Sequence, residues 1–240
     1  MSFIQLPSFK IAVYMKGDQN AKKLALALPG RFDSKDYAHM HSHVEFLANK
    51  GYLALSFDPP GTWESPGDIS TYNMTNYLKT INELIEYFGN KPTIVLGHSR
   101  GGGMASIAGA TIENITHFIS IMGGKYPSKH WITHDSKPSV RDIPLTNPVE
   151  YREFEMGRAF LDPKGAKDLT NEFASCAKPK LFILGTQDVL ITPEEVLENY
   201  EQFSDPKELY KLDCEHDYRK YPEHIEEVNG VIGKFLDKYQ

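Results

Sequence analysis

The pattern G-x-S-x-G occurs at Gly97-His98-Ser99-Arg100-Gly101, directly after an apolar β-type run and directly before a small-residue run of helical character. In that context a strand turns sharply into a helix and presents the serine at the turn. Side chains at positions 97 and 101 would collide with neighbouring backbone, so the turn requires glycine at both. Ser99 is therefore a candidate nucleophile.

A serine hydroxyl is a weak nucleophile at neutral pH and needs an imidazole to accept its proton and a carboxylate to orient that imidazole. The apolar run from Lys180 to Gly185 is followed by Asp188, and the run from Glu208 to Leu212 is followed by His216. Both residues are thus expected at the carboxyl edge of the same sheet. The sequence predicts His216 as the base and Asp188 as its partner.

Other assignments of the same residues are possible from the sequence. Asp213 and Asp217 are alternative acids, but they are so close to His216 in the chain that either would orient its ring awkwardly. Alternatively, all three residues have only structural roles, as a tight turn, a capping carboxylate and a loop histidine.

The elements that must position these residues follow from hydrophobic periodicity. Stretches with helical spacing separate short apolar runs, and this alternation predicts a mostly parallel sheet with helices on both faces. The predicted strands are Lys10 to Met15, Lys23 to Leu28, Tyr52 to Phe57, Thr93 to Gly97, His117 to Met122, Lys180 to Gly185 and Glu208 to Leu212. Helical spacing is clearest around residues 37–47, 77–88 and 225–236. The segment 124–176 interrupts the rhythm and is interpreted as an insertion with short helices over the strand ends.

With these residues and this rhythm, the chain resembles the α/β-hydrolase superfamily over nearly its whole length. The order Ser99, Asp188, His216 is that family's order, and each residue follows the strand expected of it. The segment Leu28-Pro29-Gly30-Arg31-Phe32 occupies the place of the family's His-Gly oxyanion loop, with Pro29 instead of histidine. The segment from Phe57 to Ser65 looks like the family's D-x-x-G-x-G-x-S motif, with Trp63 at the second glycine.

The resemblance implies further site residues and a domain organisation. It implies an oxyanion hole made by the backbone N–H groups of Arg31 and Arg100, with Phe32 as the donor if the loop is shifted by one residue. It also implies a single α/β-hydrolase domain over residues 1–240 with a lid at 124–176. Phe32, Tyr126 and Trp131 are candidate substrate contacts, although aromatic residues in a lid more often pack it onto the body.

The function that the resemblance implies is a serine hydrolase that needs no cofactor. It would cleave a small to medium acyl ester or thioester through an acyl-enzyme on Ser99. The same triad also serves peptidases and carbon–carbon bond hydrolases, and some members of the fold bind a ligand without turnover. These activities stay open as alternatives.

Two further features could support binding. His39, His41 and His43 form H-x-H-x-H, but on a helix only His39 and His43 share a face, and no acidic or cysteine partner is evident nearby, so no metal is expected. His98 is expected to pack away from the nucleophile. The Arg31 guanidinium is usually a solvated group; beside the acyl pocket it could pair with a substrate carboxylate or phosphate.

Composition limits the partners. The chain has 240 residues, 26 basic and 32 acidic, with a net charge of −6 and no long block of either sign, so neither nucleic acid nor an anionic membrane is an expected partner. No segment reads as a leader or a bilayer span, and a cytoplasmic location is expected. Cys176 and Cys214 are too few for a disulfide framework or a thiolate metal site. The sequence leaves the oligomeric state open.

Overall fold

The protein contains an eight-stranded sheet in the order β1-β2-β4-β3-β5-β6-β9-β10. The computed structural model describes residues 2–127, 131, 138–155, 160–161 and 166–239. In this sheet β2 pairs in antiparallel fashion with β1 and with β4. The other neighbouring strands pair in parallel, as predicted. The strands are β1 Ser2–Gln5, β2 Lys10–Lys16, β3 Leu24–Leu28, β4 Leu53–Phe57, β5 Thr93–His98, β6 Ile115–Ile121, β9 Lys180–Gly185 and β10 Lys207–Leu212.

The central strand β3 shows how the sequence builds a core on each face. All five residues of its Leu-Ala-Leu-Ala-Leu sequence are buried. Because successive side chains point to opposite faces, its leucines join one hydrophobic cluster and its alanines join the other. The central strands are therefore covered on both sides, which explains their nearly continuous apolar sequence.

Helices cover both faces at the positions that the periodicity predicted. The cluster on the leucine face contains Ile81 and Leu84 of α2 and Met104 of α3, whereas the cluster on the alanine face contains Val44 of α1 and Ile232 of α6. The helices are α1 Ala38–Asn49, α2 Met74–Tyr87, α3 Arg100–Thr111, α4 Thr170–Ser175, α5 Pro193–Glu201 and α6 Pro222–Lys238. The fold class is thus the predicted one, a mostly parallel sheet between two helical layers.

The segment 124–176, between β6 and β9, differs in part from its prediction. Its described part contains an antiparallel pair, β7 Ser139–Asp142 and β8 Tyr151–Phe154, as well as the short helix α4. Pro138, Pro144 and Pro148 lie before and between these strands. Proline does not continue a helix and favours turns, so this stretch forms a hairpin instead of the expected short helices.

A smaller difference concerns β1, and a separate finding concerns membrane spans. The first strand, Ser2–Gln5, was not among the predicted strands; it pairs at the edge of the sheet with β2 and buries only Ile4. One inward side chain gives too little period-two signal to recognise a strand. No helix in the described ranges is long and apolar enough to cross a bilayer.

Candidate active site

Ser99 lies in the turn between β5 and α3, with backbone angles of φ 55° and ψ −118°. This is a strained conformation for a residue other than glycine, and the Ser99 N–H donates to the carbonyl of Ile121 at 2.9 Å. A Cβ at position 97 would collide with the backbone of Gly101, and one at position 101 with the carbonyl of Leu28. The two glycines therefore permit the turn, for the steric reason expected from the sequence.

Ser99, His216 and Asp188 are in contact in the folded chain. The Ser99 Oγ is 2.9 Å from His216 Nε2, and His216 Nδ1 is 2.7 Å from Asp188 Oδ2. A carboxylate only accepts, so Nδ1 carries the imidazole proton and Nε2 presents its lone pair to the serine hydroxyl. The arrangement can accept a proton from Ser99.

The Asp188 carboxylate is fixed in place by its own loop. Its Oδ1 accepts from the backbone N–H groups of Leu190 at 2.8 Å and Ile191 at 2.9 Å, and its side chain is fully buried. The loops after β9 and β10 are joined by bonds from Thr186 N–H to the Leu212 carbonyl and from Gln187 N–H to the Cys214 carbonyl. Parallel pairing of the two strands therefore brings Asp188 and His216 to one edge.

The alternative acids have other partners. Asp213 accepts from the Thr186 hydroxyl and the Gln187 amide, at 2.8 Å and 3.0 Å. Asp217 pairs with the side chains of Arg219 and Lys220. The carboxylate on the His216 ring is that of Asp188, which was the acid favoured from the sequence.

A cavity of about 310 Å³ opens beside Ser99. Among the described residues, its walls are Arg31, Asp33, His98, Ser99, Arg100, Gly124, Trp131, Arg141, Leu190, Ile191, His216 and Asp217. Arg31 and Arg100, the two residues predicted to form an oxyanion hole, thus border the same space as Ser99. Arg100 is also the first residue of α3, where backbone N–H groups are not used in helical hydrogen bonds and attract negative charge.

Of the three aromatic candidates, only Trp131 is at the cavity wall. Phe32 is buried, with its ring stacked on Phe154 at 4.8 Å between centroids. Tyr126 packs against Trp131 and donates from its hydroxyl to the carbonyl of Lys167 at 3.1 Å. The structure therefore does not bring Phe32 and Tyr126 to the cavity.

Another acidic residue, Asp33, lies in the cavity wall and was not singled out from the sequence. Its Oδ1 is 3.7 Å from Arg219 Nη1 and 3.9 Å from Arg141 Nε. Burial raises the pKa of the Asp33 carboxyl, but the positive charges, chiefly that of Arg219, outweigh this effect and hold the pKa well below its usual range. Asp33 therefore joins the oxyanion loop, the β7–β8 hairpin and the loop after His216.

His98 packs beside the turn at Ser99, as expected, but it also contacts His216, the predicted base. Its ring centroid is 4.9 Å from that of His216, and its Nε2 donates to the His216 carbonyl at 2.9 Å. Its Nδ1 is 3.6 Å from Asp33 Oδ2, which is beyond hydrogen-bond distance. No feature of the sequence indicates this contact with His216, because the two residues are far apart in the chain.

The three histidines of the H-x-H-x-H motif have three different environments. His41 contacts Asp36 and stacks on Tyr14, whereas His43 is bound by Asn229 and Tyr218 and has its pKa lowered to about 4 by burial. His39 is buried next to Asp33 and His98.

Asp33, His39 and His98 place potential metal-ligand atoms within 4.8 Å of one another, so His39 has an acidic neighbour that the sequence did not reveal. Among the described residues, these three are the ones that could hold a cation. Arg219 and Arg141 beside Asp33 already balance its charge, however, and they weaken the attraction of the group for a metal ion.

A family model described as the alpha/beta hydrolase fold matches residues 26–168. This match covers more than half of the chain, and the chain belongs to the α/β-hydrolase fold family. The resemblance drawn from the sequence is therefore confirmed.

Solved structures with this fold cover almost the whole chain. The esterase Pf2001 of Pyrococcus furiosus is 22% identical with a TM-score of 0.73, covering 99% of this chain and 91% of that one. Est1E of Butyrivibrio proteoclasticus with bound ferulic acid is 18% identical with a TM-score of 0.76, covering 100% and 99%. A thioesterase domain from the curacin biosynthetic pathway is 15% identical with a TM-score of 0.72, covering 98% of both. At this level of identity the likeness shows the fold. A comparison with curated proteins finds none that matches the sequence.

Proposed function

We propose that the protein is a serine hydrolase that cleaves a small to medium acyl ester or thioester through an acyl-enzyme on Ser99. The observation that carries the proposal is the continuous hydrogen-bond chain from Ser99 Oγ to His216 and on to Asp188, at 2.9 Å and 2.7 Å. These three residues form the catalytic triad of the proposed enzyme.

In the first step, Ser99 Oγ attacks the carbonyl carbon while His216 Nε2 accepts the hydroxyl proton. The N–H groups of Arg31 and Arg100 stabilise the oxyanion, and His216 then protonates the leaving alcohol or thiol. In the second step, His216 activates a water molecule that cleaves the acyl-serine bond. Asp188 keeps the Nδ1 proton in place and stabilises the imidazolium that forms in each step.

The size of the cavity supports a small substrate. A volume of about 310 Å³ is at the lower end of the range for ligand pockets, roughly 300 to 1,000 Å³. Trp131 and Ile191 supply apolar wall, whereas the oxyanion side of the cavity is polar. One protein with the same fold is seen with ferulic acid and another is a thioesterase, which agrees with small acyl groups bound as esters or thioesters.

The segment 124–176 serves as the lid in this proposal. Trp131 from this segment lines the cavity, and Arg141 donates from Nη2 to the Arg31 carbonyl at 2.9 Å. The Tyr37 hydroxyl also donates to the Asp142 carbonyl at 2.9 Å. These contacts attach the hairpin to the oxyanion loop.

For the location of the enzyme we infer the cytoplasm, where two free buried cysteines such as Cys176 and Cys214 are common.

The test combines active-site labelling with a substrate screen. Wild type, Ser99→Ala and the matched control Ser106→Ala, which changes a serine within α3, are treated with a fluorophosphonate, and the adduct is located by peptide mass spectrometry. Wild type and the control should carry the adduct at Ser99 and hydrolyse short 4-nitrophenyl esters or thioesters. Ser99→Ala should remain folded and lose both properties, because only an activated serine reacts.

Several outcomes would contradict the proposal, each in a different way. Wild-type turnover by Ser99→Ala, or an adduct on another serine, would remove Ser99 as the nucleophile. Hydrolysis of amides but not of esters would make the protein a peptidase. Cleavage of a carbon–carbon bond beside a carbonyl, without ester turnover, would make it a carbon–carbon bond hydrolase. The absence of both labelling and turnover would indicate a ligand-binding member of the fold.

A further inference from the structure

The predicted oxyanion loop turns sharply at Gly30-Arg31-Phe32-Asp33. The Asp33 N–H donates to the Gly30 carbonyl at 3.2 Å, which closes a four-residue turn. Phe32, the third residue of this turn, has a φ of 55°, whereas the second residue, Arg31, has no positive φ. This combination is a type II turn, in which glycine or asparagine is the usual third residue. Phenylalanine is strained there, so contacts from outside the turn have to hold it.

The contacts that hold this turn come from two other parts of the fold. The Phe32 carbonyl accepts from the Trp63 indole at 3.0 Å, and the Phe32 ring stacks on that of Phe154 in β8. The Arg31 carbonyl accepts from Arg141 in β7, at 2.9 Å from Nη2 and 3.3 Å from Nε. Two donors from one planar guanidinium fix the direction of a carbonyl better than one donor does. The hairpin β7–β8 therefore holds the central peptide of the turn, between Arg31 and Phe32.

This central peptide is the part of the turn that can flip. Rotating it by roughly 180° changes a type II turn into type I, in which the third residue has an ordinary negative φ. The rotation changes ψ of Arg31 and φ of Phe32, the torsions next to the Arg31 N–H assigned to the oxyanion hole. If the Phe32 N–H is the donor instead, the flip puts the Arg31 carbonyl oxygen in its place. An oxyanion donor acts only at about 2.7 to 3.1 Å from the oxyanion, so the hole depends on this peptide.

We propose that Arg141 is a positioning residue for the oxyanion hole and holds the Arg31–Phe32 peptide in the strained form that the hole requires. The inference rests on the proposed hydrolase function and adds a residue to the same site. It also joins the lid to the chemistry, because the oxyanion donors are correctly placed only while the hairpin lies on the loop. Arg141 lines the cavity as well, so the test has to separate positioning from contact with the substrate.

Two variants of similar size differ in a single hydrogen-bond donor. In Arg141→Gln the amide nitrogen takes the place of the arginine Nε, which is 3.3 Å from the Arg31 carbonyl, whereas Arg141→Met has a methyl group there. Both variants lose the charge that lies 3.9 Å from Asp33 Oδ1. The Arg141 side chain is 29% exposed, so both should fold. Arg141→Met should lower kcat on the best short ester roughly 10- to 100-fold with little change in KM, because the donors act in the transition state. Arg141→Gln should recover most of this loss.

Inhibitor binding gives a second measurement. When Ser99 Oγ bonds to the carbonyl carbon of a trifluoromethyl ketone, the ketone oxygen becomes an oxyanion and the hydroxyl proton passes to His216. The inhibition constant of this ketone should rise in Arg141→Met by the factor by which kcat/KM falls, and that of the matched methyl ketone should not change.

Ser139→Ala is the matched control. It removes a 2.9 Å hydrogen bond from Arg31 Nη2 to the same strand of the hairpin and leaves the bonds to the Arg31 carbonyl in place. Its kcat and its inhibition constants should equal those of wild type.

Failure of this inference differs from failure of the proposed function. Equal losses in Arg141→Gln and Arg141→Met would assign the effect to the charge beside Asp33 and overturn the positioning role. A raised KM with unchanged kcat would make Arg141 a substrate contact and overturn it too, as would wild-type kinetics in Arg141→Met or an equal loss in Ser139→Ala. Each of these results leaves the hydrolase intact. A wild type that neither labels at Ser99 nor cleaves any ester would overturn the hydrolase, and the positioning role with it.

Discussion

Two histidine–aspartate pairs lie side by side at the carboxyl edge of the sheet, and they are built differently. In the pair of His216 and Asp188, a 2.7 Å hydrogen bond places the imidazole proton on Nδ1. In the pair of His98 and Asp33, the facing atoms are 3.6 Å apart, and the His98 proton lies on Nε2, which donates to the His216 carbonyl. The two rings therefore adopt opposite tautomers although their residue types are the same.

Exposure and charge reinforce this difference. Both side chains border the cavity, but that of His216 is 14% exposed and that of His98 is 2% exposed. Asp188 receives its hydrogen bonds from backbone N–H groups of its own loop, whereas Asp33 is balanced by arginines from other parts of the chain. The surroundings of the two histidines, and not their residue type, therefore distinguish the predicted base His216 from His98.

Replacing the base should have the largest effect. His216→Ala should lower kcat on the best ester about a millionfold, because the serine then has no proton acceptor. Its free energy of unfolding should change little, since His216 is partly exposed. Steady-state kinetics and urea denaturation measure the two quantities. A variant that kept more than a hundredth of wild-type kcat would show that His98 or another group can replace the base.

Replacing the acid of the first pair should have the next largest effect. Asp188→Asn should lower kcat about ten-thousandfold, since the amide favours the wrong tautomer of His216. The matched control is Asp213→Asn, which removes a neighbouring carboxylate that does not touch the ring. If the control lost as much activity as Asp188→Asn, the assignment of the acid would be wrong.

Replacing the acid of the second pair should affect mainly stability. Asp33→Asn leaves Arg219 and Arg141 without their buried counter-charge and should cost about 3 kcal/mol of unfolding free energy. The pKa of folded Asp33 is lowered, so its contribution is present above the unfolded-state pKa of about 4 and is lost as the pH falls below it. Urea denaturation from pH 7 down to 3 should therefore show the difference between wild type and variant shrinking at acid pH. A constant difference would mean that the carboxylate charge is not what stabilises the fold.

The smallest expected effect concerns the hydrogen bond between the two pairs. His98→Leu removes the donor to the His216 carbonyl and should lower kcat roughly 10-fold, the effect of one hydrogen bond on the position of the base. His98→Gln, which can carry a donor to the same place, should recover most of this loss. Equal kinetics for the two variants would show that His98 only fills space.

The pH dependence of stability separates the two histidines further. Burial lowers the pKa of His98 despite the opposing effect of Asp33, so the unfolded chain takes up a proton near pH 6.5 before the folded one does. The stabilisation by neutral His98 is thus complete above that pH and declines as the pH falls. Relative to His98→Gln, wild type should lose stability below pH 6.5, by at most about 1.4 kcal/mol per pH unit. If the free energies of unfolding of wild type and His98→Gln ran parallel below pH 6.5, this expectation would be wrong.

The fold could be predicted from the sequence, and so could the meeting of Ser99, Asp188 and His216 at one edge of the sheet, because their signals are local. Strand β3 has to be apolar along its whole length, and the turn at Ser99 needs glycine at 97 and 101, so both can be recognised in short windows. Asp188 and His216 each follow a strand directly, and parallel strands bring their carboxyl ends together. The hairpin in the segment 124–176 and the edge strand β1 give weaker patterns, and neither was predicted.

The sequence by itself therefore determined seven of the eight strands of the sheet, its helical layers and the chain order Ser99, Asp188, His216. Only the tertiary structure decided that Asp33 and His98 support this site and that Arg141 joins Arg31 and Arg100 at one cavity. These contacts join residues far apart in the chain, and they depend on side-chain directions that become fixed only when loops from different strands pack together. Periodicity indicates which face of an element is buried, but not which distant side chains that face contacts.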